Sequence, residues 1–118
     1  MSGIAGFFNP KENYLGQMDR YGEMLQSMSR VLRRRGPDDH GMYLADICGL
    51  AHTRLAVVDL ADGHQPMVRQ CEGKEFAIVC DGEVYNAKEL RDKLVSRGRT
   101  FSTGSEAEVL LTAYMEFG

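Results

Sequence analysis

The apolar run Gly3-Ile4-Ala5-Gly6-Phe7-Phe8, stopped by Asn9-Pro10, stands at the very start of the chain and reads as a buried strand. A strand there removes the usual fraying of an amino terminus, so Ser2 is held at the mouth of a strand. Leu15, Met18, Tyr21, Met24, Leu25, Met28, Val31 and Leu32 then recur at three and four residues, the spacing of one helix face. Gly36-Pro37 stops that helix near Arg35, and Arg33, Arg34 and Arg35 in its last turn complement the negative end of the helix dipole. Met42-Leu44, Gly49-His52 and Leu55-Val58, with turn-formers such as Asp62-Gly63, have the composition of an antiparallel meander. Phe76-Cys80 reads as a further strand followed by the tight-turn dipeptide Asp81-Gly82.

Two helices close the chain. Asn86 with Glu89 resembles a capping box that opens a helix with Leu90 and Leu94 inward and Gly98 as its carboxyl cap. Ser105 with Glu108 repeats the device ahead of a helix expected to bury Val109, Leu110, Ala113, Tyr114 and Phe117. Strands with helices at both ends of the chain, and no repeat or linker, point to a single α+β domain.

Composition narrows the function. The 118 residues are 43% hydrophobic and 26% charged, the profile of an ordinary globular chain with one core. Fourteen Lys and Arg against 17 Asp and Glu leave a net charge of -3, without the basic excess that phosphate backbones require, so no nucleic acid is expected as a partner. No apolar run approaches the roughly 20 residues that span a bilayer, so no membrane is expected either. Cys48, Cys71 and Cys80 are widely spaced, without a Cys-x-x-Cys pair, which suits small buried residues in a reducing cytoplasm. His40, His52 and His64 lack neighbouring ligands, so no metal is expected, and no glycine-rich phosphate loop is present.

Several stretches together resemble the N-terminal glutaminase domain of asparagine synthetases, class II amidotransferases of the N-terminal-nucleophile (Ntn) hydrolase superfamily. They are Ser2-Gly3-Ile4-Ala5-Gly6-Phe7, Arg35-Gly36-Pro37-Asp38, Arg54-Leu55-Ala56-Val57-Val58-Asp59-Leu60 running on to Gln65-Pro66-Met67, Asp81-Gly82-Glu83-Val84-Tyr85-Asn86, and Thr103-Gly104-Ser105-Glu106. The resemblance implies an Ntn-hydrolase-like αββα sandwich of antiparallel sheets, here truncated, with residues 1–118 forming only the N-terminal part of a type 2 glutamine amidotransferase domain. It implies that residue 2 attacks the side-chain amide of glutamine with its own α-amine as base, an amine whose ordinary pKa of about 8 suits that work. Arg54 would pair with the substrate α-carboxylate, Gly82 would offer its backbone N–H to the oxyanion, Glu106 would hold the α-ammonium, and Glu83 would lie beside the pocket. The implied partners are glutamine, the synthetase domain of a parent protein, and a second copy covering an exposed sheet. No cofactor is expected in this domain. ATP and magnesium would belong to the synthetase domain, whose Ser-Gly-Gly-x-Asp loop is not in this sequence.

Four positions depart from the family pattern. Ser2 stands for its cysteine, Asp81 for the asparagine whose amide completes the oxyanion hole, Glu106 for an aspartate, and Arg34 for the histidine before Arg-Gly-Pro-Asp. A hydroxyl is a weaker nucleophile than a thiol, and a carboxylate accepts hydrogen bonds where the amide would donate. Weak or absent glutaminase turnover is therefore expected. The alternative is a non-catalytic amidotransferase-like binding or assembly domain, either β-lactam synthetase-like or a pseudoenzyme. His52, His64, Tyr85 and Asn86 are assigned to structure.

Overall fold

The computed structural model describes residues 2–55 and 64–118. In chain order they form β1 (Gly3–Phe8), a short 3-10 turn at Tyr14–Gln17, α1 (Met18–Leu32), β2 (Asp39–Leu44), β3 (Cys48–Arg54), β4 (Met67–Cys71), β5 (Lys74–Ile78), α2 (Ala87–Ser96) and α3 (Glu106–Phe117). This is an α+β arrangement of two small antiparallel sheets, compatible with an Ntn-hydrolase-like sandwich.

The first sheet has the order β1-β3-β2. Its register runs from Gly3 opposite Thr53 to Phe8 opposite Cys48, and from Asp39 opposite Arg54 to Leu44 opposite Gly49. Directly paired residues share a face, so Phe7 and Ala51 point one way while Ile4 and His52 point the other. The helix α1 covers the Phe7 face. There Phe7, Tyr14 and Tyr21 pack as a ring cluster with centroids 4.6 to 5.8 Å apart, separations at which edge-to-face contact adds to simple burial.

The apolar face of α1 is narrower than the spacing predicts. At about 100° per residue, Tyr21, Leu25, Met28 and Leu32 fall within about 60° of one another; Leu25 is buried and the other three half-buried. Met24 and Val31 lie on the flank, and together with Leu15 and Met18 they are exposed. The predicted third meander strand over Leu55–Val58 falls largely outside the described residues, as does Asp62-Gly63; Leu55 itself lies beyond the end of β3.

The second sheet is the hairpin β4–β5. Glu72 and Gly73 at its tip both have positive φ, 51° and 77°, the signature of a type I′ turn whose twist matches the strands. The expected strand Phe76–Cys80 is shifted: β5 covers Lys74–Ile78, and Asp81-Gly82 is the bend that leads to α2 rather than the turn of a hairpin. The helix α3 lies on this hairpin and buries Met67, Ala107 and Leu111 together, with Phe76, Ile78, Cys80 and Met115 against them.

Three further expectations are corrected. Asn86 is the residue before α2 but makes no side-chain cap bond, because its backbone (φ -104°, ψ 25°) is not in the extended conformation that aims a capping side chain. Ser105 does cap α3, its Oγ accepting from the Ala107 N–H at 3.1 Å, but Glu108 turns to the preceding loop instead of completing the box. Last, α3 is apolar on nearly all sides, and burial selects Ala107, Val109 and Leu111; Leu110 and Ala113 are half-buried. Tyr114 is 61% and Phe117 50% exposed, the first set edge-on to Phe76 and the second beneath Lys93 and Arg97. Gly98 ends α2 as expected: with φ 93°, it donates to the Val95 carbonyl while Arg99 donates to Leu94, a complete Schellman motif.

Candidate functional site

Ser2 is half-buried at the head of β1. Gly3 behind it is buried, and a Cβ there would come within 3.1 Å of Leu32 and the Thr53 hydroxyl. Little but glycine lets the strand sit this deep. The register ends at Gly3 opposite Thr53, so Ser2 is the residue just before β1, while Arg54 is the last residue of β3.

The Arg35-Gly36-Pro37-Asp38 segment crosses this edge. A Cβ on Gly36 would lie 2.4 Å from the Arg54 nitrogen, so glycine is what allows the crossing. Pro37 then bridges Arg54, and the Asp38 N–H donates to the Arg54 carbonyl at 2.9 Å. These contacts fix the backbone from which the half-buried Arg54 side chain extends.

The Asp81-Gly82 bend meets the same edge. The Ser2 N–H donates to Asp81 Oδ1 at 3.4 Å, Arg35 Nε donates to the Ser2 carbonyl at 3.0 Å, and Arg35 Nη2 lies 3.5 Å from Asp81 Oδ2. A triangle of contacts thus brackets the main chain of Ser2 between a carboxylate and a guanidinium. Arg35 was expected only to match the helix dipole. Its partnership with a residue 33 positions away leaves no trace in local spacing.

Gly82 has φ 138°, a conformation that side chains with a Cβ disfavour. Gly82 and Glu83 are exposed, and the next residue, Val84, donates its N–H to Glu106 Oε2 at 2.7 Å. Glu106 is the first residue of α3, where a carboxylate also gains from the positive end of the dipole. A depression of about 370 Å³ lies here, lined by Val84, Tyr85, Ala87, Lys88, Arg91, Gly104 and Glu106. Chain continuity through Gly82 and Glu83 thus links the Ser2 contact with Asp81 to the Val84 contact with Glu106, while Ser2, Arg54, Gly82 and Glu83 are not among the residues that line the depression.

Behind these contacts are two polar side chains that sequence reasoning assigned no role in them. His52 is 2% exposed, and its Nε2 has no hydrogen-bond partner. Burial pushes its imidazole pKa down, opposed by a bond to the Cys80 backbone and by the field of Asp81. Gln65 is 8% exposed and binds Cys80, whose thiol pKa is pushed up by burial despite that contact. His64, by contrast, pairs with Asp39 on the surface at 2.7 Å. Among the described residues no group of three or more His, Cys, Asp or Glu side chains could hold a metal ion, and no helix is long and apolar enough to cross a membrane.

A family model described as glutamine amidotransferase domain matches residues 1–118. The chain is 37% identical over 117 residues to asparagine synthetase (glutamine-hydrolyzing) 3 of Bacillus subtilis (strain 168), covering 99% of this chain and 18% of that protein. It is 41% identical over 118 residues to asparagine synthetase (glutamine-hydrolyzing) 3 of Arabidopsis thaliana, and 39% identical to the Zea mays asparagine synthetase (glutamine-hydrolyzing), covering 100% of this chain and 19% of each relative. The chain thus spans about a fifth of the length of these curated relatives. With residues 1–118 matched by that family model, this chain belongs to the glutamine amidotransferase domain family.

Proposed function

We propose that the chain is the glutamine-recognising part of a glutamine-dependent asparagine synthetase, acting in the cytoplasm, and that its own glutaminase turnover is impaired. The observation that carries this reading is the triangle of Ser2, Arg35 and Asp81, which sets the nucleophile position of the family against the turn that bears Gly82. Glutamine would enter with its α-carboxylate on Arg54, whose planar guanidinium suits a two-point pair. Its α-ammonium would lie between Glu83 and Glu106. These anchors aim the side-chain amide at Ser2.

Turnover requires Met1 to be removed, so that Ser2 carries a free amine. That amine takes the Ser2 hydroxyl proton as Oγ bonds to the amide carbon, and the carbonyl oxygen gains negative charge beside the Gly82 N–H. The amine then returns the proton to the departing nitrogen, releasing ammonia and leaving a glutamyl ester. Water, deprotonated by the same amine, opens the ester to glutamate and free Ser2. The ammonia would serve amide transfer to aspartate in a synthetase domain.

Asp81 opposes this cycle twice. A carboxylate 3.4 Å from the Ser2 nitrogen favours the protonated amine and so removes the base. The same charge faces the developing oxyanion where the family places an amide donor, and losing one such donor costs about 10²- to 10³-fold in rate. Ammonia release by the Met1-processed chain is the direct test: the parent should be near the no-enzyme blank, and Ser2→Cys with Asp81→Asn should restore release.

A second reading, a binding domain without chemistry, is favoured by the same Asp81 contact. Calorimetry separates the two, because heat with glutamine and no ammonia even from the double variant would leave binding alone.

A further inference from the structure

The bend carrying Asp81 and Gly82 follows β5, which ends at Ile78, and is separate from the sheet that carries Ser2. Besides the exposed contacts of Asp81 with Ser2 and Arg35, a buried side chain ties the bend to the first sheet. Gln65 Oε1 accepts the Cys80 N–H at 2.8 Å, while Gln65 Nε2 lies 3.7 Å from Cys80 Sγ. The main chain of Gln65 rests on the first sheet: a Cβ on Gly41 would come within 2.2 Å of the Gln65 carbonyl and 2.9 Å of Pro66. Gly41 stands opposite His52 in that sheet, and the ring of His52 reaches the Cys80 backbone from the same side.

We infer that Gln65, seated on Gly41, is a positioning residue that fixes Cys80 and thereby sets the Asp81-Gly82 bend level with Ser2. The inference rests on the pocket reading above. A side-chain amide of this length both accepts from the main-chain N–H through its oxygen and donates to the thiol through its nitrogen. Glutamate would keep the first bond, and leucine would keep neither. Without its acceptor the half-buried Cys80 N–H is left unsatisfied. The loss falls first on the bend, because the strand pairings of both sheets do not use this bond.

Amide hydrogen exchange by NMR on the whole chain tests this without any need for turnover. Gln65→Leu should speed exchange at Cys80 about tenfold or more and move the Gly82 and Gly3 signals. Exchange in β1 and β3 should stay at the parent rate. Gln65→Glu should keep Cys80 protected and Gly82 in place. Unchanged Cys80 exchange in Gln65→Leu, or acceleration spread evenly over both sheets, would overturn the inference. Should Gln65→Leu fail to fold, loss of Cys80 protection in Gln65→Glu would overturn it and retention would support it. Calorimetry of the unaltered chain with glutamine judges the pocket reading separately.

Discussion

Two carboxylates, Asp81 and Glu108, show how differently one chain treats the same functional group. Glu108 is 3% exposed and collects the Ser102 and Thr103 N–H groups, both of their hydroxyls and Arg69, at 2.8 to 3.4 Å. Asp81 is exposed and, among the described residues, holds two long contacts, 3.4 Å to the Ser2 nitrogen and 3.5 Å to Arg35. The first is fully satisfied and ties a loop to a helix. The second keeps acceptor capacity in hand at the edge where chemistry is expected. Saturation marks the structural acid, and incomplete partnering marks the site.

Removing Glu108 should have the largest effect on the fold. Glu108→Ala leaves the loop donors and Arg69 without their acceptor and should cost about 3–5 kcal/mol of stability, read by chemical denaturation. Asp81→Asn should leave stability within about 0.5 kcal/mol, as expected where no buried network is broken. In a Ser2→Cys background it should raise ammonia release about 10²-fold or more. If the two substitutions exchanged these effects, the contrast would be broken.

The same contrast extends to pH. Burial raises the Glu108 pKa, but the bonds from Ser102 and Thr103 outweigh it and hold the carboxyl below its ordinary 4.5. A depressed folded pKa contributes stability above the unfolded value and loses it as pH falls through the folded one. Melting temperature should therefore drop more steeply below pH 4.5 in the parent than in Glu108→Gln. A parallel fall in both would refute the assignment. Smallest of all, Asn86→Ala should change stability by less than about 0.5 kcal/mol, because no cap bond is lost.

What the sequence reveals and what it hides follow the same division. The position of β1, the existence of α1 and the Gly98 cap of α2 depend on neighbours a few residues apart and are legible, although α1 ends at Leu32 rather than near Arg35 and β1 exposes Ile4 and Phe8 instead of lying buried. β4 is not, since Met67-Val68-Arg69-Gln70-Cys71 lacks clean alternation and its pairing is decided by Glu72-Gly73 and by the cover of α3. The buried side of α3 is hidden because apolar residues surround the helix, and packing on Met67 decides which are covered. At the site, the family motifs name Ser2, Arg54, Gly82 and Glu106. The long-range contacts of Ser2 with Asp81 across 79 positions and of Gln65 with Cys80 across 15 exist only once the sheets are built.

The central claim is that Ser2, Arg54, Gly82, Glu83 and Glu106 surround one glutamine. Titration of the unaltered, isotope-labelled chain with glutamine, followed by backbone NMR, tests it most directly. Saturable shifts gathered at Ser2, Gly3, Arg54, Gly82, Glu83, Val84 and Glu106, and lost in Arg54→Lys, are the predicted result. Saturable shifts elsewhere, or none at millimolar glutamine, would contradict it.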